Sequence, residues 1–89
     1  IDEVNRTLFA FASYNAGPNR IQRLRKEAAG MGFDPNLWFG NVEVVVAKEV
    51  GREPVQYVSN IYKYYTVYSM LQDQNEIKQE MKDEMKAGN

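Results

Sequence analysis

The chain contains no cysteine and no histidine. The first absence excludes disulfides and thiolate metal sites, and leaves the compartment open. The second excludes a histidine-based triad or a histidine-ligated zinc built from this chain. No apolar run approaches the roughly 20 residues that a membrane span requires. No leader-like stretch precedes the first polar residues, and the chain opens at Ile1 rather than methionine. The opening at Ile1 fits a piece of a longer protein, and in such a piece the missing leader is uninformative. A charge excess of either sign is also missing. Eleven basic and twelve acidic residues leave a net charge of −1, so no global field draws the chain to nucleic acid or anionic lipid. What is present is an ordinary globular balance, 44% hydrophobic and 26% charged, over 89 residues. That is one small domain at most, with a thin stability margin.

Helical signals run through the chain. Asp2 is placed to cap a helix from Glu3, with acid at its positive end. Val4, Leu8, Phe11 and Ala12 form its stripe, and Phe9 lies off it. The helix is therefore apolar on more than one side and expects cover on several. Phe9 and Phe11 read as core packing. Gly17 ends this helix, and Pro18 suits the first turn of the next. The second helix runs to about Ala29, with Ile21, Leu24 and Ala28 facing inward. Arg20, Arg23 and Lys26 lie on its other faces, and Arg25 sits near the apolar edge. These basic residues read as a solvated face. No aromatic interleaving supports nucleic acid as a partner.

Gly30 to Phe33 breaks the helix. Asp34-Pro35 then signals a short helical turn through Leu37, Trp38 and Phe39, closed by Gly40, with Asn41 as a fresh cap. Trp38 reads as a core plug, with a sugar-stacking platform as the alternative. Val44-Val45-Val46 alone would suggest a strand, but the flanking residues favour a helix from Val42 to Val50. Glu43 falls in its first turn, where the dipole welcomes it. A last helix starts at Arg52-Glu53-Pro54. From Tyr57 onward its apolar residues occupy two adjoining faces. Tyr62, Tyr64, Tyr65 and Tyr68 read as core residues with wet hydroxyls, a carbohydrate platform being the alternative. Residues 72–89 are polar and read as a helical extension or a disordered tail beyond a first unit of 1–71. The first helix, apolar on more than one side, also suggests self-association through exposed apolar surface.

Between the first two helices, Tyr14 and Asn15 stand at a rigid corner able to aim a phenol and a carboxamide. The stretch Tyr14-Asn15-Ala16-Gly17 resembles the A-Y-N-A-G motif of lytic transglycosylases, lysozyme-like enzymes that cut bacterial peptidoglycan. Three further stretches resemble the same family in the same order. They are Arg20 to Arg25, Asp34 to Glu43 (D-P-N-L-W-F-G-N-V-E) and Gly51 to Tyr65. Together they cover roughly Asn5 to Tyr68, and the nearest likeness is to membrane-bound members with a fused solute-binding domain.

The resemblance implies an all-α, lysozyme-like domain fragment of four to five helices with a long C-terminal helix. It implies cleft positions at Tyr14, Asn15, Glu43, Glu53 and Tyr57, and peptidoglycan glycan strands as partner. It implies no cofactor or metal, and a place in the bacterial cell envelope, periplasmic or outer-membrane associated. It also implies an incomplete enzyme. The family's catalytic glutamate lies in an E-S motif, followed by G-L-M-Q, and both precede the corner. Neither occurs in the thirteen residues before Tyr14, so this chain is expected to be the C-terminal half of the domain and inactive alone. Pro54 stands where the family usually has threonine, so any hydroxyl contribution there is lost. The alternative is a non-enzymatic helical module that binds glycan or protein.

Overall fold

The structure, a computed structural model, describes residues 1–87. Four α-helices follow in order: α1 (Glu3–Ala16), α2 (Pro18–Gly30), α3 (Glu43–Glu49) and α4 (Arg52–Ala87). The described residues contain no strand, and the all-α expectation with a long last helix holds. Among the described residues no helix is long and apolar enough to cross a membrane.

α1 begins as its sequence dictates. The Asp2 carboxylate accepts the Asn5 backbone N–H at 2.8 Å and the Asn5 side-chain amide at 3.0 Å. These hydrogen bonds, the backbone one first, hold the Asp2 carboxyl below the usual aspartate range. The buried line of α1 differs from the expected stripe. Leu8, Phe9 and Ala12 are buried, Phe11 is partly buried, and Val4 is half-exposed. The reason is that α1 packs against both α2 and α4. Phe9 meets the edge of Trp38 at 5.9 Å, and the Arg25 guanidinium lies over its ring at 4.5 Å. Phe11 instead faces Tyr65 of α4 at 6.3 Å.

Gly17 makes the first corner at φ +98°, ψ 136°, a backbone state that only glycine adopts cheaply. Its N–H closes on the Ser13 carbonyl at 2.8 Å, and Pro18 opens α2. Ile21, Leu24 and Ala28 of α2 are buried at the expected spacing. The helix ends in a Schellman motif: Phe33 N–H reaches the Ala28 carbonyl at 2.9 Å and Gly32 N–H the Ala29 carbonyl at 3.2 Å, with Gly32 at φ +92°.

The helical turn expected from Asp34 through Phe39 stops at Leu37. Residues 34–37 make a single turn, with Asp34 Oδ1 accepting the Asn36 N–H at 2.9 Å. Leu37 and Phe39 are then extended, and Gly40 reverses the chain at φ +71°. Burial of Trp38 explains this. Its side chain is fully enclosed, so it plugs the core and offers no sugar platform. Extended backbone on either side plants it there, and Asn5 Oδ1 of α1 accepts its backbone N–H at 2.8 Å. Asn41 does not cap α3. Its carbonyl oxygen accepts the Asp34 N–H at 2.9 Å and its amide donates to the Phe39 carbonyl at 3.2 Å, strapping the loop.

The valine run is helical. Val45 and Val46 of α3 are buried between α2 and α4, whereas Val44 faces solvent. α4 then packs its first turns on the body through Pro54 and Val58, with Val55, Tyr57 and Tyr62 partly covered. The expectation that its later tyrosines are core residues fails. Tyr64, Tyr65 and Tyr68 are exposed, and only Tyr62 of the four is partly packed. At 1.5 Å per residue α4 is about 54 Å long and α1 about 21 Å, so α4 outruns the body that could cover it. Every described side chain from Met70 to Lys86 is exposed. α4 continues to Ala87 through the polar segment, and the last two residues of the 72–89 stretch lie outside the described residues.

Candidate functional site

The end of α1, the start of α2 and the start of α4 converge around the Gly17 corner. Asn15 and Ala16 of α1, Arg20 of α2, Val50, and Glu53 and Pro54 of α4 line a cleft of about 200 Å³. Local sequence explains each placement. Gly17 stops α1 just after Asn15, so the carboxamide lies at a helix end, where it is exposed. Gly51 precedes α4 and puts Glu53 in that helix's first turn, where a carboxylate complements the dipole. Pro54 follows and is buried in the wall, so its ring fills space where a threonine would have offered a hydroxyl.

Tyr14 and Tyr57 stand together beside this cleft. Their rings stack with centroids 6.5 Å apart and planes 18° from parallel. Tyr14 remains 85% exposed, so one aromatic surface and its hydroxyl are open to a ligand. Tyr57 lies one helical turn beyond Glu53 on the same face of α4. The structure thus gathers Tyr14, Asn15, Glu53 and Tyr57 at one junction.

Glu43 stands apart from them. It opens α3, and its Oε1 accepts the Gly40 N–H at 3.1 Å. It does not line the cleft, and its contact is that of a residue holding its own loop. Arg20 is the residue that reading the sequence missed. Its place on the polar side of α2 predicts a solvated basic face, yet it lines the cleft with Glu53. Its position three residues past Gly17 was the available signal, since one helical turn carries it back over the corner.

The cleft and the ring pair beside it together present an amide, a guanidinium, a carboxylate and two phenols. Such a set can recognise a polyhydroxylated ring, with hydrogen bonds to hydroxyls and aromatic contact to C–H faces. A single carboxylate does not furnish the acid and second carboxylate of ordinary glycoside hydrolysis.

Over one segment the chain is similar to lytic murein transglycosylases. It is similar to the protein named membrane-bound lytic murein transglycosylase F of Stutzerimonas stutzeri (strain A1501), 33% identical over 99 residues, covering 96% of this chain and 20% of that protein. It is 39% identical over 80 residues to the protein of the same name in Marinobacter nauticus, covering 75% of this chain and 16% of that one. The Shewanella woodyi protein of that name is 32% identical over 93 residues, covering 90% of this chain and 19% of that protein. The chain therefore spans about a fifth of the length of the curated relatives it matches. No family model and no solved structure matches it.

Proposed function

We propose that this chain supplies one wall of the glycan cleft of a peptidoglycan lytic transglycosylase in the bacterial cell envelope. The observation that carries this reading is the shared junction: Asn15 and Glu53 line one cleft, and Tyr14 stacks on Tyr57 beside it. Residues 1–71 form the domain part, and 72–89 are an extension of it. The bond cut is the β-1,4 link between MurNAc and GlcNAc. In this scheme a glutamic acid outside this chain protonates the glycosidic oxygen as the C1–O bond breaks. The resulting carboxylate then takes the proton of the sugar's own 6-hydroxyl, whose oxygen closes on C1 as a 1,6-anhydro ring. Tyr14, Asn15 and Tyr57 position the sugar, and Glu53 and Arg20 fix polar groups at the cleft edge. Glu43 serves the loop rather than the cleft.

The isolated chain, lacking the E-S acid, releases no anhydro-muropeptides under this reading. A second reading, a glycan-binding module with no catalytic partner, is favoured by the single carboxylate in the cleft. Titration of chitin oligomers followed by amide NMR tests the wall. Shifts grouped at Tyr14, Asn15, Glu53 and Tyr57, with Glu43 still, are expected; shifts elsewhere or none overturn it. Joining the chain to the preceding part of a relative separates the two readings, because only the transglycosylase reading expects anhydro product.

A further inference from the structure

The outward face of α4 carries a feature that the cleft does not use. At 3.6 residues per turn, Val67, Met70, Ile77, Met81 and Met85 fall within an arc of about 80°. All five are more than half exposed. The face that packs on the body, through Pro54 and Val58, lies roughly half a turn round the helix from this stripe. A seam of about 27 Å therefore points away from the body.

The charges beside the stripe are sorted by sign. Asp73, Glu80 and Glu84 flank one side, and Lys78 and Lys82 flank the other. This sorting names both the occupant and its direction. If two copies pack stripe to stripe in parallel, the acidic flank of each meets the lysine flank of the other. An antiparallel pair would set acid against acid and lysine against lysine. The same charges disfavour an anionic membrane, because acids outnumber lysines over residues 72–87. Gln74 interrupts the stripe near its middle, and a polar seam residue fixes register at some cost in stability. We infer that the C-terminal half of α4 pairs in parallel with a second copy of this chain through the Val67–Met85 stripe. The two bodies then lie on opposite outer sides of the pair, where they do not collide.

The 89-residue chain is the material for the test. Sedimentation equilibrium is expected to show mass rising toward twice the monomer with concentration. Ile77→Glu places a charge in the seam and is expected to raise the dissociation constant by roughly tenfold or more, with Trp38 emission unchanged. The chain has no cysteine, so introduced ones report direction cleanly. Met70→Cys and Met81→Cys are each expected to form a disulfide with their own kind under mild oxidation. Cross-linking only when the two variants are mixed means an antiparallel pair and overturns the inference. A monomer at every concentration up to about 1 mM overturns it as well. So does a chain that is monomeric in solution yet binds vesicles of phosphatidylcholine and phosphatidylglycerol at 3:1 through this face.

Discussion

Replacing Trp38 with alanine removes the largest fully buried side chain of the core. The ring is completely enclosed, meets Phe9 edge-on at 5.9 Å, and is carried by a backbone N–H tied to Asn5 at 2.8 Å. Emptying such a site loses the transfer energy of the indole and leaves a cavity, together about 3–5 kcal/mol. A chain of this length holds only about 4–13 kcal/mol in total. The exposed half of α4 adds nothing to the core, which puts the body near the lower end. Trp38→Ala is thus expected to unfold most of the body at 25 °C, or to lower the melting temperature by at least about 12 °C. Trp38→Phe separates packing from polarity. The indole N–H is buried without a partner, so phenylalanine removes an unsatisfied donor while leaving a smaller void. Its cost should stay near 1–2 kcal/mol. Urea unfolding followed by far-UV circular dichroism, with ring-current-shifted methyl signals as a second probe, measures both. Trp38→Ala within about 1 kcal/mol of the parent would refute the account of the core. So would Trp38→Phe costing as much as Trp38→Ala.

Four smaller outcomes follow from the same structure. Arg25→Lys should cost about 1–2 kcal/mol in urea, since lysine cannot at once donate to the Pro35 carbonyl (2.8 Å), reach Asn36 Oδ1 (2.9 Å) and cover Phe9. Gly17→Ala should cost about 1–2 kcal/mol on backbone grounds alone, because φ is +98° and a Cβ there meets nothing within 4 Å; a crowded methyl in a crystal structure would contradict this. Asp2 has a depressed carboxyl in the folded chain, so its capping is fully present above the ordinary aspartate value and is lost as pH falls through the lower folded value. The Asn5 amide shift should follow that acid step, and Asp2→Ala should abolish it. A double-mutant cycle of Tyr14→Ala and Tyr57→Ala should give a coupling near 0.5 kcal/mol in stability, the low end for an exposed stacked pair.

Some of this fold was readable beforehand and some was not. α2 was, because Ile21, Leu24 and Ala28 lie on one stripe and all three are buried. α1 was half readable. Its apolar breadth announced cover on two sides, but a stripe count could not say that Phe9 would be buried more deeply than Phe11. Asp34-Pro35 carried good helix-start chemistry that Trp38 overrode, since the core needed the indole more than the backbone needed another helical turn. The tyrosines of α4 show a different limit. Periodicity gives a helix's faces, and the length of the neighbouring helices decides which faces find company. At the site, Tyr14, Asn15, Glu53 and Tyr57 were grouped only through the family resemblance, because distant residues share no local signal. Arg20 was hidden because a charged residue on an amphipathic helix ordinarily faces water.

The overhang of α4 changes how the molecule moves through solvent. A folded chain of this length would ordinarily have a radius of gyration of about 12 Å. Here it is 18.2 Å, with a long dimension of 62 Å against 22 Å and 20 Å. Such a rod drags and tumbles like a heavier sphere. A column calibrated with round standards would overstate the mass of a single copy, and NMR relaxation would differ between amides along the rod and across it. Only methods that weigh without regard to shape, such as light scattering or sedimentation equilibrium, can tell one copy from two.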